Sequence, residues 1–363
     1  MLTLIEDTGI NDKYNAIYAF QCPIILFRFN RITARKAQRR IHMKVTVLMA
    51  NLCSSTGVSS TLEGLESANI LHQINTRTTK PVFEIETASI DGHPVQCTGG
   101  LVLTPQKRLD DINQTDLIIV PGFLFQVLPL LPGFSAFAPW INHHYAHNAT
   151  IATMCTGTFI VAEAGILDDK LATTHWYFAN EFRKRYPKVN LSEHHIVTED
   201  QNIICSGGAS AGSDMLLHLI RKFISSELAS ECSKKLLVDT GRRDQTPYIM
   251  QSFNRNHEDK EIQKIQHWLE QHYMSPIIFD DIATKFGFGI RNFIRRFKDA
   301  TQITPIQYLQ NLRIEKAKYL LETTNKNVET ITYDVGYQDI NSFRRLFKER
   351  LHISPSMYRK KFQ

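Results

Sequence analysis

The 363-residue sequence has no closely paired cysteines: Cys22, Cys53, Cys97, Cys155, Cys205 and Cys232 are scattered, with no Cys-x-x-Cys spacing. That excludes a disulfide framework and points to a reducing, cytoplasmic setting. No apolar run is expected to reach the ~20 residues that cross a bilayer. The nearest, YAFQCPIILF (Tyr18–Phe27), is short, contains Pro23 and carries its basic residues after it, the reverse of a secretory signal. No membrane partner is therefore expected. A nucleotide loop is lacking as well. CSGGASAG (Cys205–Gly212) has the glycines but neither the lysine nor the spacing, and reads as tight packing at a strand-to-helix turn. His143, His144 and His147 fall on a predicted helix, with positions 143 and 147 on one face, but no third ligand stands at zinc-site spacing. They read as an exposed polar face, and neither a metal nor a cofactor is expected.

The charge that is present is unevenly placed. Residues 1–42 hold 7 Lys and Arg against 3 Asp and Glu, residues 43–250 hold 16 against 20, and residues 251–363 hold 19 against 13. A mildly acidic middle joined to a basic end suggests that the basic end meets a polyanion. The first 42 residues, with the aperiodic run RFNRITARKAQRR, read as a basic extension, disordered or translated from an upstream start, and the first domain opens at MKVTVLMA.

From Met43 onward, short apolar runs alternate with helical spacing: KVTVLMA, VFEIETASI, TDLIIVPGF and TIATMC as strands, SSTLEGLESANILHQIN, FAPWINHHYAHN and TGTFIVAEAGIL as helices. This pattern predicts an α/β, flavodoxin-like, mostly parallel sheet covered on both faces, over residues 43–230. In such sheets ligands bind beyond the carboxyl ends of the strands. Gly122 and Cys155 stand at two such ends, with Phe123 and Thr156 beside them and His175 and Trp176 twenty residues on. A thiol at a strand-to-helix corner with an imidazole in reach is a candidate nucleophile and base. A buried cysteine with no chemistry is the other reading.

LIIVPG, MCTGTFIVAEAGILDDKLATTHW and ICSGGASAGSDMLLHLI resemble the signature segments of the class I glutamine amidotransferase-like superfamily, in its ThiJ/PfpI branch. More narrowly they resemble the GlxA-like transcriptional regulators, in which that domain is fused to an AraC-type DNA-binding domain. In catalytic members a carboxylate after the first strand contacts the cysteine. Here Glu63 and Glu66 are near, but Ser60 or Thr61 stands in the expected position. The resemblance thus implies a sensor that is not an enzyme, with Gly122, Phe123, Cys155, Thr156, His175 and Trp176 lining its ligand pocket. It further implies an amino-acid-derived or quaternary-amine effector, a homodimer, and RNA polymerase as a partner. A cysteine-dependent amidase or glyoxalase-like hydrolase, or a thiol redox sensor using Cys155, are the alternatives.

Residues 231–260 are rich in Gly, Pro, Asn and charge and read as a linker. Beyond it the chain repeats itself. Phe293, Arg295, Phe297, Lys298, Pro305 and Tyr308 recur 50 residues later as Phe343, Arg345, Phe347, Lys348, Pro355 and Tyr358, while Gly287 recurs as Gly336. Each unit reads helix, glycine turn, helix, so residues 261–363 form an all-α double helix-turn-helix domain. The phenylalanines, four apart, face inward, leaving a basic face on each second helix. The intervening PIQYLQNLRIEKAKYLLETT predicts one long spacer helix begun by Pro305. This end resembles the AraC/XylS family, including RIEKAKYLL and the closing SPSMYRKKF. By that resemblance Arg291, Arg295, Asn341, Arg344 and Arg345 face bases, and Arg296, Lys298 and Lys348 face phosphates of double-stranded DNA, with Asn292 and Ser342 alongside.

Overall fold

The computed structural model describes residues 42–242, 244–250, 253, 255 and 257–363. The expected basic extension, His42 apart, lies outside the described residues. The amino-terminal elements run β1 (Met43–Leu48), α1 (Ser55–Thr76), β2 (Phe83–Ser89), β3 (Val95–Gln96), β4 (Val102–Leu103), β5 (Lys107–Arg108) and β6 (Leu117–Val120). There follow α2 (Val127–Phe134), α3 (Ala138–Ala146), β7 (Thr150–Met154), α4 (Thr158–Glu163), β8 (Leu171–Ala172), α5 (Ala179–Arg185) and β9 (Asn190–Leu191). The first part closes with β10 (Val197–Asp200), β11 (Ile203–Ser206), α6 (Ala211–Phe223) and α7 (Ser226–Lys235).

Seven strands form one sheet in the order β10-β11-β7-β6-β1-β2-β5, parallel except for the edge strand β10. The five main parallel strands lie in the order second, first, third, fourth, fifth, the flavodoxin-like arrangement, with the order reversing between β1 and β6. Every residue of β6, β7 and β11 is buried, as expected of strands covered on both faces. Three sequence expectations change here. The run Leu124–Ala146 is apolar and long enough by composition to cross a membrane. It runs as one continuous helical stretch, a 3-10 turn at Ser135–Phe137 joining α2 to α3, with Pro132 inside α2 and Val127, Leu131, Phe134, Phe137 and Ile141 buried against the sheet. His144 is not on the exposed face with His143 and His147: it is 2% exposed and packs against Trp140. The expected boundary at 230 falls inside α7, because Leu228, Ala229 and Cys232 are buried and carry the helix through Lys235.

The carboxyl-terminal elements are all helical: α8 (Lys260–His272), α9 (Phe279–Lys285), α10 (Ile290–Thr301), α11 (Pro305–Thr323), α12 (Val328–Asp334), α13 (Ile340–Leu351) and α14 (Pro355–Phe362). They enclose two small cores. Phe293, Phe297 and Tyr308 meet Ile262, Ile265 and Leu269 of α8 in one, and Phe343, Phe347 and Tyr358 meet Ile314, Ala317 and Leu321 of α11 in the other. Helix α11 therefore supports the second unit as α8 supports the first, and its amino-terminal turn also closes the first core through Tyr308. Burying each such phenylalanine contributes about 1.5–3 kcal/mol. The tyrosine hydroxyls repeat the scheme, Tyr308 donating to Glu270 and Tyr358 to Glu322. Within the segment read as a linker, Gln245 and Ile249 are docked. Gln245 is buried, donating to Thr173 Oγ1, Thr174 O and His195 O (3.1–3.2 Å), while Lys318 Nζ donates to Ile249 O at 2.8 Å.

Candidate functional site

At the switch of strand order, Gly122 follows β6 and Cys155 follows β7. The two turns touch: a Cβ on Gly122 would lie 2.9 Å from Cys155 Cβ, and one on Gly157 would lie 2.5 Å from Pro121 O, so only glycines fit. Cys155 itself has φ +54°, a left-handed conformation that costs an ordinary residue about 1–2 kcal/mol. Its carbonyl accepts from Thr158 Oγ1 at 3.2 Å and Thr174 Oγ1 at 3.0 Å, and the Phe123 N–H donates to Thr156 Oγ1 at 2.8 Å. Those bonds hold the strained corner in place.

The corner has the shape of a nucleophile turn without its acid–base partners. Cys155 is 2% exposed, and burial pushes its pKa up to about 11 against the weaker, opposing hydrogen bonds of Thr156. The expected thiol–imidazole pair is not formed: among the described residues no hydrogen bond or ion pair joins Cys155 to His175, whose Nδ1 accepts from the Tyr177 N–H at 3.2 Å. Burial also holds the His175 pKa down, which favours the neutral ring. Thr61, standing where a carboxylate was sought, donates to Gly57 O at 2.7 Å, with Met154 Sδ 3.7 Å from its hydroxyl. With the pKa raised from 9.0 to about 11, the thiolate fraction at neutral pH is about 100-fold below that of a free thiol. Iodoacetamide labelling read by mass spectrometry is expected to modify Cys155 much more slowly than a free-thiol peptide, and a faster rate would restore the nucleophile reading. Gly122, Phe123, Cys155 and Thr156 are all buried, whereas His175 and Trp176 are half-exposed beside the exposed rings of Phe125 and Tyr177.

In the helical part, the predicted glycine turns are present, with φ +77° at Gly287 and +89° at Gly336. Each leads to a helix with its phenylalanines inward and basic side chains in solvent. Arg291, Asn292, Arg295 and Lys298 on α10 are exposed, as are Asn341, Ser342, Arg344, Arg345 and Lys348 on α13. Arg291, Lys298, Arg344, Arg345 and Lys348 make no ion pair among the described residues, and Arg295 is only loosely held, by Asn292 at 3.0 Å and Asp299 at 3.6 Å. Arg296 is a correction. Its guanidinium forms a bidentate pair with Asp259, the N-cap of α8, and lies 5.2 Å from the Phe288 ring centroid, so it fastens α8 to α10. The repeat carried that signal, because the matching position of the second unit is the half-buried Leu346. The helix starts also differ. Gly289 offers α10 no side-chain cap, while Asp339 accepts from the Asn341 and Ser342 N–H groups of α13, and the Ser342 hydroxyl, with these bonds, holds its pKa down.

A model of the DJ-1/PfpI family matches residues 43–222, and a model of the helix-turn-helix domain matches residues 282–361. The HTH-type transcriptional regulator CdhR of Pseudomonas aeruginosa is 26% identical over 308 residues, covering 84% of this chain and 88% of that one. GbdR of the same species is 24% identical over 321 residues, covering 88% and 84%. This chain is an AraC-type regulator with a DJ-1/PfpI domain. A solved putative transcriptional regulator from Vibrio parahaemolyticus is 22% identical, with a TM-score of 0.48 over 54% of the regulator and 99% of that structure.

The regulator also has cavities that pattern reading missed. The larger, of about 660 Å³, is lined by His195, Ile196, Val197, Asp214, Leu217, His218, Arg221, Thr240 and Arg242. A second, of about 440 Å³, lies between α1, β2 and the Leu103–Gln106 turn. Neither is lined by any of the six predicted pocket residues. The larger is assembled from three separate segments, so no local spacing announces it. The regulator's described cysteines are all free, yet the fold brings Cys53 and Cys97 together, their sulfurs 3.7 Å apart, although they stand 44 positions apart in sequence.

Proposed function

We propose that the regulator binds double-stranded DNA with α10 and α13 in successive major grooves and adjusts that binding to a small effector sensed by its DJ-1/PfpI domain. One observation carries the DNA reading: two helices present the same exposed basic positions, 295/345 and 298/348, while their inner faces are fixed in separate cores joined by α11. At 1.5 Å per residue the 19-residue α11 is about 28 Å long, suited to units one helical turn of DNA apart. Arg291, Arg295, Arg344, Arg345 and Asn341 then read base edges, and Lys298 and Lys348 contact phosphates. Asn292 and Ser342 flank them as minor contacts. Selection of bound duplexes from a random pool, followed by footprinting, is expected to yield two protected blocks about one turn apart. A single block would sink the two-unit reading.

On the sensor side, His175 and Trp176 with Phe125 and Tyr177 form the accessible wall, and Gly122, Phe123, Cys155 and Thr156 the buried frame behind it. Aromatic faces favour a quaternary or other organic cation, which supports an amino-acid-derived or quaternary-amine effector. The same reading includes a homodimer, for which the exposed Ile70 and Ile74 of α1 supply apolar surface, contact with RNA polymerase, and action in the cytoplasm. An effector alters DNA affinity only through unequal affinity for the DNA-competent and incompetent arrangements.

A further inference from the structure

The larger cavity lies apart from the aromatic wall, and its chemistry differs. Asp214, Leu217, His218 and Arg221 line it from one face of α6, at helical spacing; His195, Ile196 and Val197 come from the start of β10, and Thr240 and Arg242 from the chain beyond α7. Its one lining carboxylate, Asp214, is already taken by Arg242, which also donates to Ser210 Oγ and O at 3.0 Å. Glu199 nearby is taken by Lys222 and His218. Arg221 is exposed and has no ion pair among the described residues, and Arg242 keeps its Nε–H buried without an acceptor. A buried donor left unsatisfied is costly, and a guanidinium pairs best with a planar carboxylate. Ile196, Val197 and Leu217 add an apolar surface, and about 660 Å³ is within the usual range for a small-molecule site.

We propose that this cavity is a binding site for a small organic carboxylate, held by Arg221 with Arg242, Thr240 and the two imidazoles, its apolar part lying on Ile196, Val197 and Leu217. The site is wired to the second helix-turn-helix unit. Asp244, two residues beyond Arg242, forms a β-bridge with His195 and pairs with His352, the C-cap of α13. A carboxylate that draws on Arg242 and His195 acts on both neighbours of that contact. This goes beyond the effector reading above, since it assigns a second site of opposite charge preference.

Calorimetry of the full chain with benzoate, succinate, inorganic phosphate and choline tests the proposal. Benzoate or succinate is expected to bind, and Arg221→Gln to weaken binding about tenfold or more. Arg221 makes no ion pair among the described residues, so this variant should keep the parent's unfolding midpoint; Arg242→Gln, which strips a buried aspartate, is the less secure variant. No carboxylate binding, or equal binding by Arg221→Gln, overturns the site. Phosphate binding with the same Arg221 dependence, and no carboxylate binding, overturns the ligand class. His352→Ala should leave benzoate affinity unchanged while abolishing any benzoate effect on DNA affinity; an unaltered effect overturns the route through Asp244. Failure of the chain to bind DNA would instead remove the proposed function and leave the calorimetric result standing.

Discussion

Replacing Arg295 and Arg345 together by alanine is expected to weaken binding to the selected duplex by roughly 30-fold to 10⁴-fold at fixed salt. An arginine paired to a base edge contributes about 1–3 kcal/mol of discrimination, and sites this far apart add nearly independently. Both side chains are exposed, and Arg345 makes no ion pair among the described residues, so their loss should leave the unfolding midpoint close to the parent's. Two comparisons give the experiment its resolution. Lys298→Ala and Lys348→Ala, as the proposed phosphate contacts, should each lower the slope of log affinity against log salt by about one and weaken all sequences alike. Arg296→Ala should do neither first. It leaves Asp259 of α8 without its guanidinium and should lower stability before it alters salt dependence. Fluorescence anisotropy over a salt series, with parallel denaturation curves, measures all of these. Undiminished affinity in the double arginine variant would end the proposed DNA face.

Alanine at Gly336 is expected to cost about 3–5 kcal/mol, enough to unfold the second unit, whereas alanine at the matching Gly287 should cost about 1–2 kcal/mol. Both have positive φ, so both pay the left-handed penalty. Their surroundings differ. A Cβ at Gly287 would meet nothing within 4 Å; one at Gly336 would lie 2.6 Å from Tyr273 O and 2.9 Å from both Met274 O and Arg313 Nη2. That backbone cannot easily retreat, because Arg313 donates to Tyr273 O at 2.9 Å and to Ser275 O at 3.0 Å while lying over the Tyr337 ring. The end of α8, the turn of the second unit and α11 are thus locked together. Urea denaturation of the two single variants checks the difference, and equal losses would show that the contact at Gly336 relaxes freely.

Much of the architecture was legible in periodicity. Apolar runs such as Leu117–Val120 announce strands buried on both faces, and the paired phenylalanines at 293/297 and 343/347 announce two inward helix faces, because the periods of strand and helix write themselves into side-chain polarity. Contacts between distant segments have no such period. Asp259 with Arg296, Cys53 with Cys97, and Gln245 with Thr173 each join residues far apart in the chain, and the apparent linker concealed its buried glutamine among polar neighbours. His144 went astray for the same reason: an imidazole among exposed imidazoles carries no mark of the tryptophan beneath it.

The amino-acid order alone therefore decided that an α/β domain precedes two basic helix-turn-helix units, since local polarity and glycine turns suffice for that. Only the tertiary structure decided that Cys155 is a buried corner thiol with no hydrogen bond to His175 among the described residues, that Arg296 is a fastener, and that a cation-rimmed cavity exists. Ionisation and availability depend on desolvation and on partners brought near by folding, and neither is a property of the residue or of its neighbours in the chain.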